Sequence, residues 1–489
     1  MKTQKTSSVK KNFAYQMIYE VLVLILPFVT SPYIARVIGA EGLGTYSYSY
    51  SVAYYFVLFS LLGIKNYGNR EIAKARDDSA KLNKTFVNIA TLHILLSIVC
   101  VLAYIGYIIS LKQVRIYAEI QTLYVLSGLL DISWFYFGIE RFKMIVTRNT
   151  IIKIINVICV FVFVRSADDL WKYCLIMALG NLISQIALWV PLRRYVEFVR
   201  PDWASMKKHM KPLTILFIPA IAVSMYKYMD KIMIGAFSSK TELGYYENAE
   251  KVINIPMTVI TSFGTVMLPK MSNLTASSNH NSAERYMTLS MEFVMCLATA
   301  FTFGLAGVGT VFAPFFWGKE FTVSGQLIMG LALTIPFISF ANVIRTQYLI
   351  PTSKDREYIT SVIAGAVVNL CINGLLIPQI GAFGAMIGTI AAEMIVCIWQ
   401  VIVVRKELPI RKFLSVSVPF IPFGILMFAV IIGIKIIFKS GIEALLLQVV
   451  LGGGLYLGLC LWYFVKTQNE VVLRMIKTAK KRFLKNNQL

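Results

Sequence analysis

From about residue 13 onward, long apolar runs alternate with short polar connections, and most of the runs are about 20 residues long. A helix of that length crosses a ~30 Å hydrocarbon layer at 1.5 Å per residue, so each run predicts one spanning helix. Fourteen runs can be drawn, over residues 13–38, 44–64, 85–109, 118–138, 150–165, 170–192, 212–236, 244–269, 286–313, 323–349, 358–378, 384–404, 413–438 and 444–465. The expected fold is an all-α integral membrane protein of 14 transmembrane helices. No connection is long enough to hold an aqueous domain that folds alone.

The pattern also repeats. Ile34 to Val52 closes one run after Arg36, turns through Gly39, Gly42 and Gly44, and opens a second run studded with tyrosine and serine. About 200 residues later Lys231 precedes an apolar triplet, Gly235-Ala236, a turn, and Leu243-Gly244 before Tyr245. Gly39-Ala40 matches Gly235-Ala236 and Leu43-Gly44 matches Leu243-Gly244, with four extra turn residues in the second copy. Runs 1–6 and 7–12 therefore read as two copies. Because six is even, the copies share one orientation and should be related by a pseudo-twofold axis along the membrane normal. The expected organisation is an N-lobe over 1–192, a linker over 193–211, a C-lobe over 212–404 and two further spans over 413–465. A basic amphipathic tail over 466–489 sets Val472, Ile476 and Phe483 among lysines and arginines.

Composition agrees: 57% of residues are apolar, 15% are charged, and the mean hydropathy is +0.67. The net charge of +23 would suggest nucleic acid in a soluble protein. Here topology absorbs it. The N-terminus, the even-to-odd connections and the tail, with the adjoining run ends, hold 35 lysines and arginines against 9 on the opposite connections and their run ends, which is expected to put both termini in the cytoplasm. The partner implied is the membrane, with the linker and tail on its anionic lipids and no nucleic acid. The seven cysteines lie in or at the ends of apolar runs without a Cys-x-x-Cys pair, so neither disulfides nor zinc are expected. The basic N-terminus and first run lack a small-x-small cleavage site, and the run is kept as the first span. Prolines in several runs, among them Pro27, Pro32, Pro219, Pro256 and Pro336, predict bends.

An ion in hydrocarbon costs about 2.5–3.5 kcal/mol by insertion scales, so charges within runs should face protein or water. Lys227, Asp230 and Lys231 stand at i, i+3 and i+4, one face of run 7. Glu247, Glu250 and Lys251 repeat that spacing in run 8, with Glu247 and Lys251 in the favourable order. The pattern reads either as a wet, charged cavity or as structural ion pairs near the interface. Arg36 is the best anion-binding candidate, since a guanidinium stays charged when desolvated and grips phosphate through two hydrogen bonds; the alternative is an interfacial anchor. Arg345 in run 10 is a further cation near a span end. Run 2 places Tyr46, Tyr50 and Tyr54 on one face with Ser47 and Ser51 alongside, rings and hydroxyls suited to sugars or to helix packing. Glu20 lies well inside run 1, a coupling or ion-pair acid; Asp131 and Glu393 are isolated acids that either bind a coupling proton or sodium ion or hydrogen-bond a neighbouring helix. The three histidines form no nucleophile and base pair, and no metal cluster or phosphate loop is present, so no enzyme and no cofactor is expected.

Three stretches carry a resemblance: Ala35 to Gly44 with its following tyrosines; Asp230 to Gly235 followed by Leu243-Gly244-Tyr245-Tyr246; and Ile377-Pro378 through Ala385 with Glu393. They resemble the polysaccharide-exporter branch of the multidrug/oligosaccharidyl-lipid/polysaccharide superfamily, the O-antigen and capsule repeat-unit flippases. That resemblance implies a bacterial inner-membrane transporter moving an undecaprenyl-pyrophosphate-linked oligosaccharide to the outer leaflet by alternating access. It also implies partners among polysaccharide polymerases and glycosyltransferases. Lipid II flippases, similar in architecture, place cavity arginines on the first spans; Arg36 occupies the comparable stretch, without a second arginine in runs 1 and 2. The rival readings are a cation-coupled multidrug exporter and a membrane enzyme of glycan assembly.

Overall fold

The computed structural model describes residues 9–111, 115–277, 279–438 and 441–468. The side chain of Glu20 and the amphipathic tail expected beyond residue 468 fall outside the described residues. All regular structure within them is helical. Ten helices are long and apolar enough to cross a membrane, or twelve when two bent pairs are each taken as one span.

The difference from fourteen runs has two local causes. Runs 1 and 2 are continuous in Val9–Leu61, but at Gly39 the backbone turns to φ 69° and ψ −179°, and two helices meet there. A side chain at that φ would clash, so glycine is required. Run 4 is interrupted. Arg115–Leu129 and Ser133–Gly138 are separated at Asp131, whose carboxylate accepts the Ser133 N–H at 2.9 Å and starts the second helix. Neither piece alone reaches spanning length.

Polar side chains mark other helix starts. Asp78 accepts the N–H groups of Ala80 and Lys81 at 2.9 and 3.1 Å and begins Ser79–Ser110. Asp202 accepts from Ala204 and begins Trp203–Ser224, and the hydroxyl of Ser205 holds its carboxyl below the ordinary range. Lys319–Leu331 and Thr334–Leu349 meet at 43°, with Pro336 in the first turn of the second piece, where its missing N–H costs nothing.

The chain divides into two compact units, Met1–Glu247 with Ile372–Ala385, and Asn248–Cys371 with Met386–Leu489. In the first, Phe86 stacks on Trp134 with centroids 5.6 Å apart and meets Phe135 edge-on. A second cluster joins Val57, Leu61, Tyr104 and Val125, with the Tyr104 hydroxyl donating to the Ala118 carbonyl at 2.9 Å. In the second unit Phe420, Met427, Ile431 and Tyr456 form a core, and the Tyr456 hydroxyl donates to the Cys296 carbonyl at 2.7 Å. Elsewhere apolar side chains point outward: Ile151, Ile154, Ile155, Ile158 and Val162 are all exposed on one helix. So large an exposed apolar surface fits lipid rather than water.

Within the first unit the two sequence motifs touch. A Cβ on Gly44 would fall on the Lys240 carbonyl and 2.9 Å from the Gly244 nitrogen, and a Cβ on Gly244 would fall on the Ala40 carbonyl. The matched glycines are the reason the two backbones can approach.

Candidate functional site

Helical spacing puts Tyr46, Tyr50 and Tyr54 in a row, and the first unit surrounds that row with more rings. Tyr46 meets Tyr173 edge-on at 4.8 Å, Tyr50 lies 4.8 Å from Tyr124, and Tyr54 stacks on Tyr228 at 3.8 Å. Tyr50 donates to the Tyr124 hydroxyl at 3.3 Å. Ser47 and Ser51 turn away from this row and are buried. One of them reaches a charge: Ser47 Oγ donates to Glu247 Oε2 at 2.8 Å.

Glu247 is also held by Lys231, whose Nζ lies 2.7 Å away, with both side chains less than a fifth exposed. The same ammonium lies 5.7 Å from the Tyr228 ring centre, within cation–π range. Ser47, Lys231 and Glu247 thereby form one polar group at the end of the tyrosine row. The pair is desolvated enough for its attraction to matter, and a cation over an aromatic wall can bind an anion whose neighbouring part is a sugar ring.

The face expected of Lys227, Asp230 and Lys231 is split. Met225–Met229 is a π-helical turn, whose wider hydrogen-bond ring breaks the i, i+4 stacking. Lys227 is exposed, Lys231 is half-buried, and Asp230 is buried, accepting from the Tyr246 hydroxyl at 3.1 Å and the Asn373 amide at 2.7 Å.

The other candidates lie elsewhere. Arg36 is exposed in the first unit. Asp131 is not isolated: it pairs with Lys65 at 3.5 Å. In the second unit Lys251 donates to Asn248 at 3.4 Å, Arg345 lies 5.5 Å from the Tyr358 ring centre, and Glu250 and Glu393 are half-buried. Among the described residues no three metal-ligating side chains converge. The sequence reading missed Tyr124, Tyr173, Tyr228 and Asn373, each brought in from a distant helix. Tyr228 alone carried a local signal, lying beside Lys227.

A Shigella dysenteriae protein named as an O-antigen transporter is 23% identical over 405 residues, covering 81% of this chain and 100% of its own. The solved structure of a lipid II flippase MurJ, in an inward closed conformation, superposes with a TM-score of 0.74 at 15% identity, covering 94% of this chain and 100% of that one. A multidrug transporter of the MATE family, inward-facing, gives 0.59 at 12% identity over 85% of this chain and 97% of its own. The family described as polysaccharide biosynthesis protein matches residues 9–275, more than half of the sequence. A fourteen-run membrane sequence with this helical fold, these relatives and that match belongs to the polysaccharide biosynthesis protein family.

Proposed function

We propose that the protein is a flippase that moves undecaprenyl-pyrophosphate-linked oligosaccharide from the cytoplasmic to the outer leaflet of a bacterial inner membrane, by alternating access, for surface polysaccharide synthesis. The observation that carries this reading is the half-buried Lys231–Glu247 pair at the end of a tyrosine row, in a chain whose full-length relative is named as an O-antigen transporter. Lys231 meets the pyrophosphate, with Arg36, Lys227, Lys251 and Arg345 as further cations along the route, and Tyr46, Tyr50 and Tyr54 face the sugars. Fourteen spans follow when the Gly39 break divides the first helix and the pieces on either side of Asp131 are taken together. Both termini are then cytoplasmic. The two six-helix lobes rock about the repeat axis, and the last two spans guide the prenyl chain. Contacts between positions 200 apart, Gly44 with Gly244 and Ser47 with Glu247, support such an axis, because residues beside a twofold meet their own equivalents.

A cargo with two negative charges gains about 4.6 kcal/mol per 100 mV of inside-negative potential on moving outward. Asp230, buried between a phenol and an amide, is the best placed acid for a coupling proton or sodium ion. Asp230→Asn should leave export running on the potential but insensitive to sodium or proton gradients; unchanged gradient dependence would exclude Asp230. Arg36→Ala should reduce export severalfold while Arg36→Lys keeps a fraction of it, and full activity in both would remove Arg36 from the route.

The decisive experiment is the leaflet distribution of lipid-linked oligosaccharide after depletion of the protein, read with an impermeant probe on intact and opened spheroplasts. Accumulation on the cytoplasmic face, relieved by re-expression, is the expected result. An unchanged pool and sidedness would end the flippase reading.

A further inference from the structure

Cys296 and Cys460 stand 164 residues apart in the chain, yet the Cys296 thiol donates to the Cys460 Sγ at 3.6 Å. Both belong to the second unit, Cys296 on His280–Phe316 and Cys460 on Gly453–Lys466. A second contact fixes their register. Tyr456, four residues before Cys460 and so on the same helix face, donates its hydroxyl to the Cys296 carbonyl at 2.7 Å. Both cysteines are free thiols. Spacing along the sequence offered no cysteine pair; the fold supplies one.

The surroundings decide what such a pair can meet. Cys460 is buried and Cys296 half-buried, in one apolar cluster with Phe420, Phe423, Tyr463 and Phe464. An ionic oxidant pays a desolvation cost there that a small neutral hydroperoxide does not. Cys296, the more accessible thiol, meets the hydroperoxide first. Its sulfur attacks one peroxide oxygen, the O–O bond breaks, a sulfenic acid forms, and the thiol proton leaves on the other oxygen as an alcohol. The Cys460 sulfur then attacks the Cys296 sulfur: the S–S bond forms, the S–O bond breaks, and the departing hydroxide takes the Cys460 proton as water. The two sulfurs lose two electrons in all, and the hydroperoxide gains them. Closing the gap takes about 1.5 Å, which rotation of the two side chains about χ1 can share. A sulfenic acid without a second thiol at hand persists or is oxidised further to sulfinic acid, so the neighbour at 3.6 Å is what makes oxidation reversible here.

We propose that Cys296 and Cys460 form a reversible oxidation site, closed to a disulfide by hydroperoxides and reopened by thiol reductants, which fastens Gly453–Lys466 covalently to His280–Phe316. Reopening returns two electrons and two protons from a dithiol, which is itself left as a disulfide. The site does not depend on the flippase reading and stands or falls apart from it.

The test uses the full chain in phosphatidylcholine nanodiscs, treated with cumene hydroperoxide and then digested without reduction for peptide mass mapping. Cys371, which is exposed, gauges the dose. At a dose that oxidises most of Cys371, the peptides of Cys296 and Cys460 should be found joined to each other, and dithiothreitol should part them. Dimedone traps sulfenic acids. It should label Cys296 weakly in the wild type and about fivefold more strongly in Cys460→Ala, where nothing resolves the intermediate. Cys296→Ala should leave Cys460 unjoined. Thermal unfolding checks that both variants are folded. Free thiols at both positions after that dose, a joint from Cys296 to another cysteine instead, a loss that dithiothreitol does not reverse, or equal dimedone labelling of Cys296 in the wild type and folded Cys460→Ala overturns the proposal.

Discussion

The Gly244→Val substitution should abolish surface polysaccharide export and leave little folded protein in the membrane. A side chain at this position would run into the Ala40 carbonyl group and come within 3.0 Å of the Ala40 Cα, and all of these are backbone atoms. Backbone cannot rotate aside as a side chain can. The two motif segments would have to separate along their length, and overpacking of this kind costs about 1–3 kcal/mol even where neighbours can adjust. Gly44→Ala should fail by the same collision from the other side, against the Lys240 carbonyl group. Gly106→Ala is the control: among the described residues no atom beyond its own helical turn lies within 4 Å of its Cβ position, and export and thermal stability should be unchanged or slightly improved. Complementation of a depleted strain, with membrane levels measured in parallel, reads all three. Wild-type export by folded Gly244→Val would mean that the close approach of the two motifs is dispensable.

The apolar runs predicted most helices because hydropathy over about 20 residues depends on lipid and little else. The end of run 1 was legible for a related reason, since a cluster of three glycines after Arg36 has few uses except a turn. The break at Asp131 was not, because hydropathy carries no trace of the bond from the Ser133 N–H to the Asp131 carboxylate at the start of the next helix. The π turn at Met225–Met229 was equally silent, and with it the displacement of Lys227 from Asp230 and Lys231. Glu247 shows the wider limit. Sequence spacing offers Lys251 one turn on, and the fold adds Lys231, whose ammonium lies 2.7 Å away on another helix. Local order gives the neighbours a helix can supply, and tertiary packing selects among all the others.

The Lys231–Glu247 pair allows its structural and substrate roles to be separated. Lys231→Met takes away the cation 2.7 Å from a carboxylate that is only 17% exposed and that also accepts from Ser47. Breaking a buried pair from one side costs about 3–5 kcal/mol, because the surviving charge loses a close counter-ion; partial exposure here places the loss at or below the lower end. Export should vanish and the unfolding temperature should fall. In Lys231→Met with Glu247→Gln the carboxylate charge is gone, and a neutral amide can still accept from Ser47, so stability should return nearly to that of the wild type. The fate of export in that double variant decides the matter. If Lys231 binds the pyrophosphate, stability recovers while export stays lost, since nothing replaces the cation at the end of the tyrosine row. If the pair only ties helices together, both recover. Glu247→Gln alone sharpens the contrast, because it leaves Lys231 with more of its charge available to an anion. Binding of farnesyl diphosphate should then hold or tighten in that variant and fall by about tenfold or more whenever Lys231 is absent.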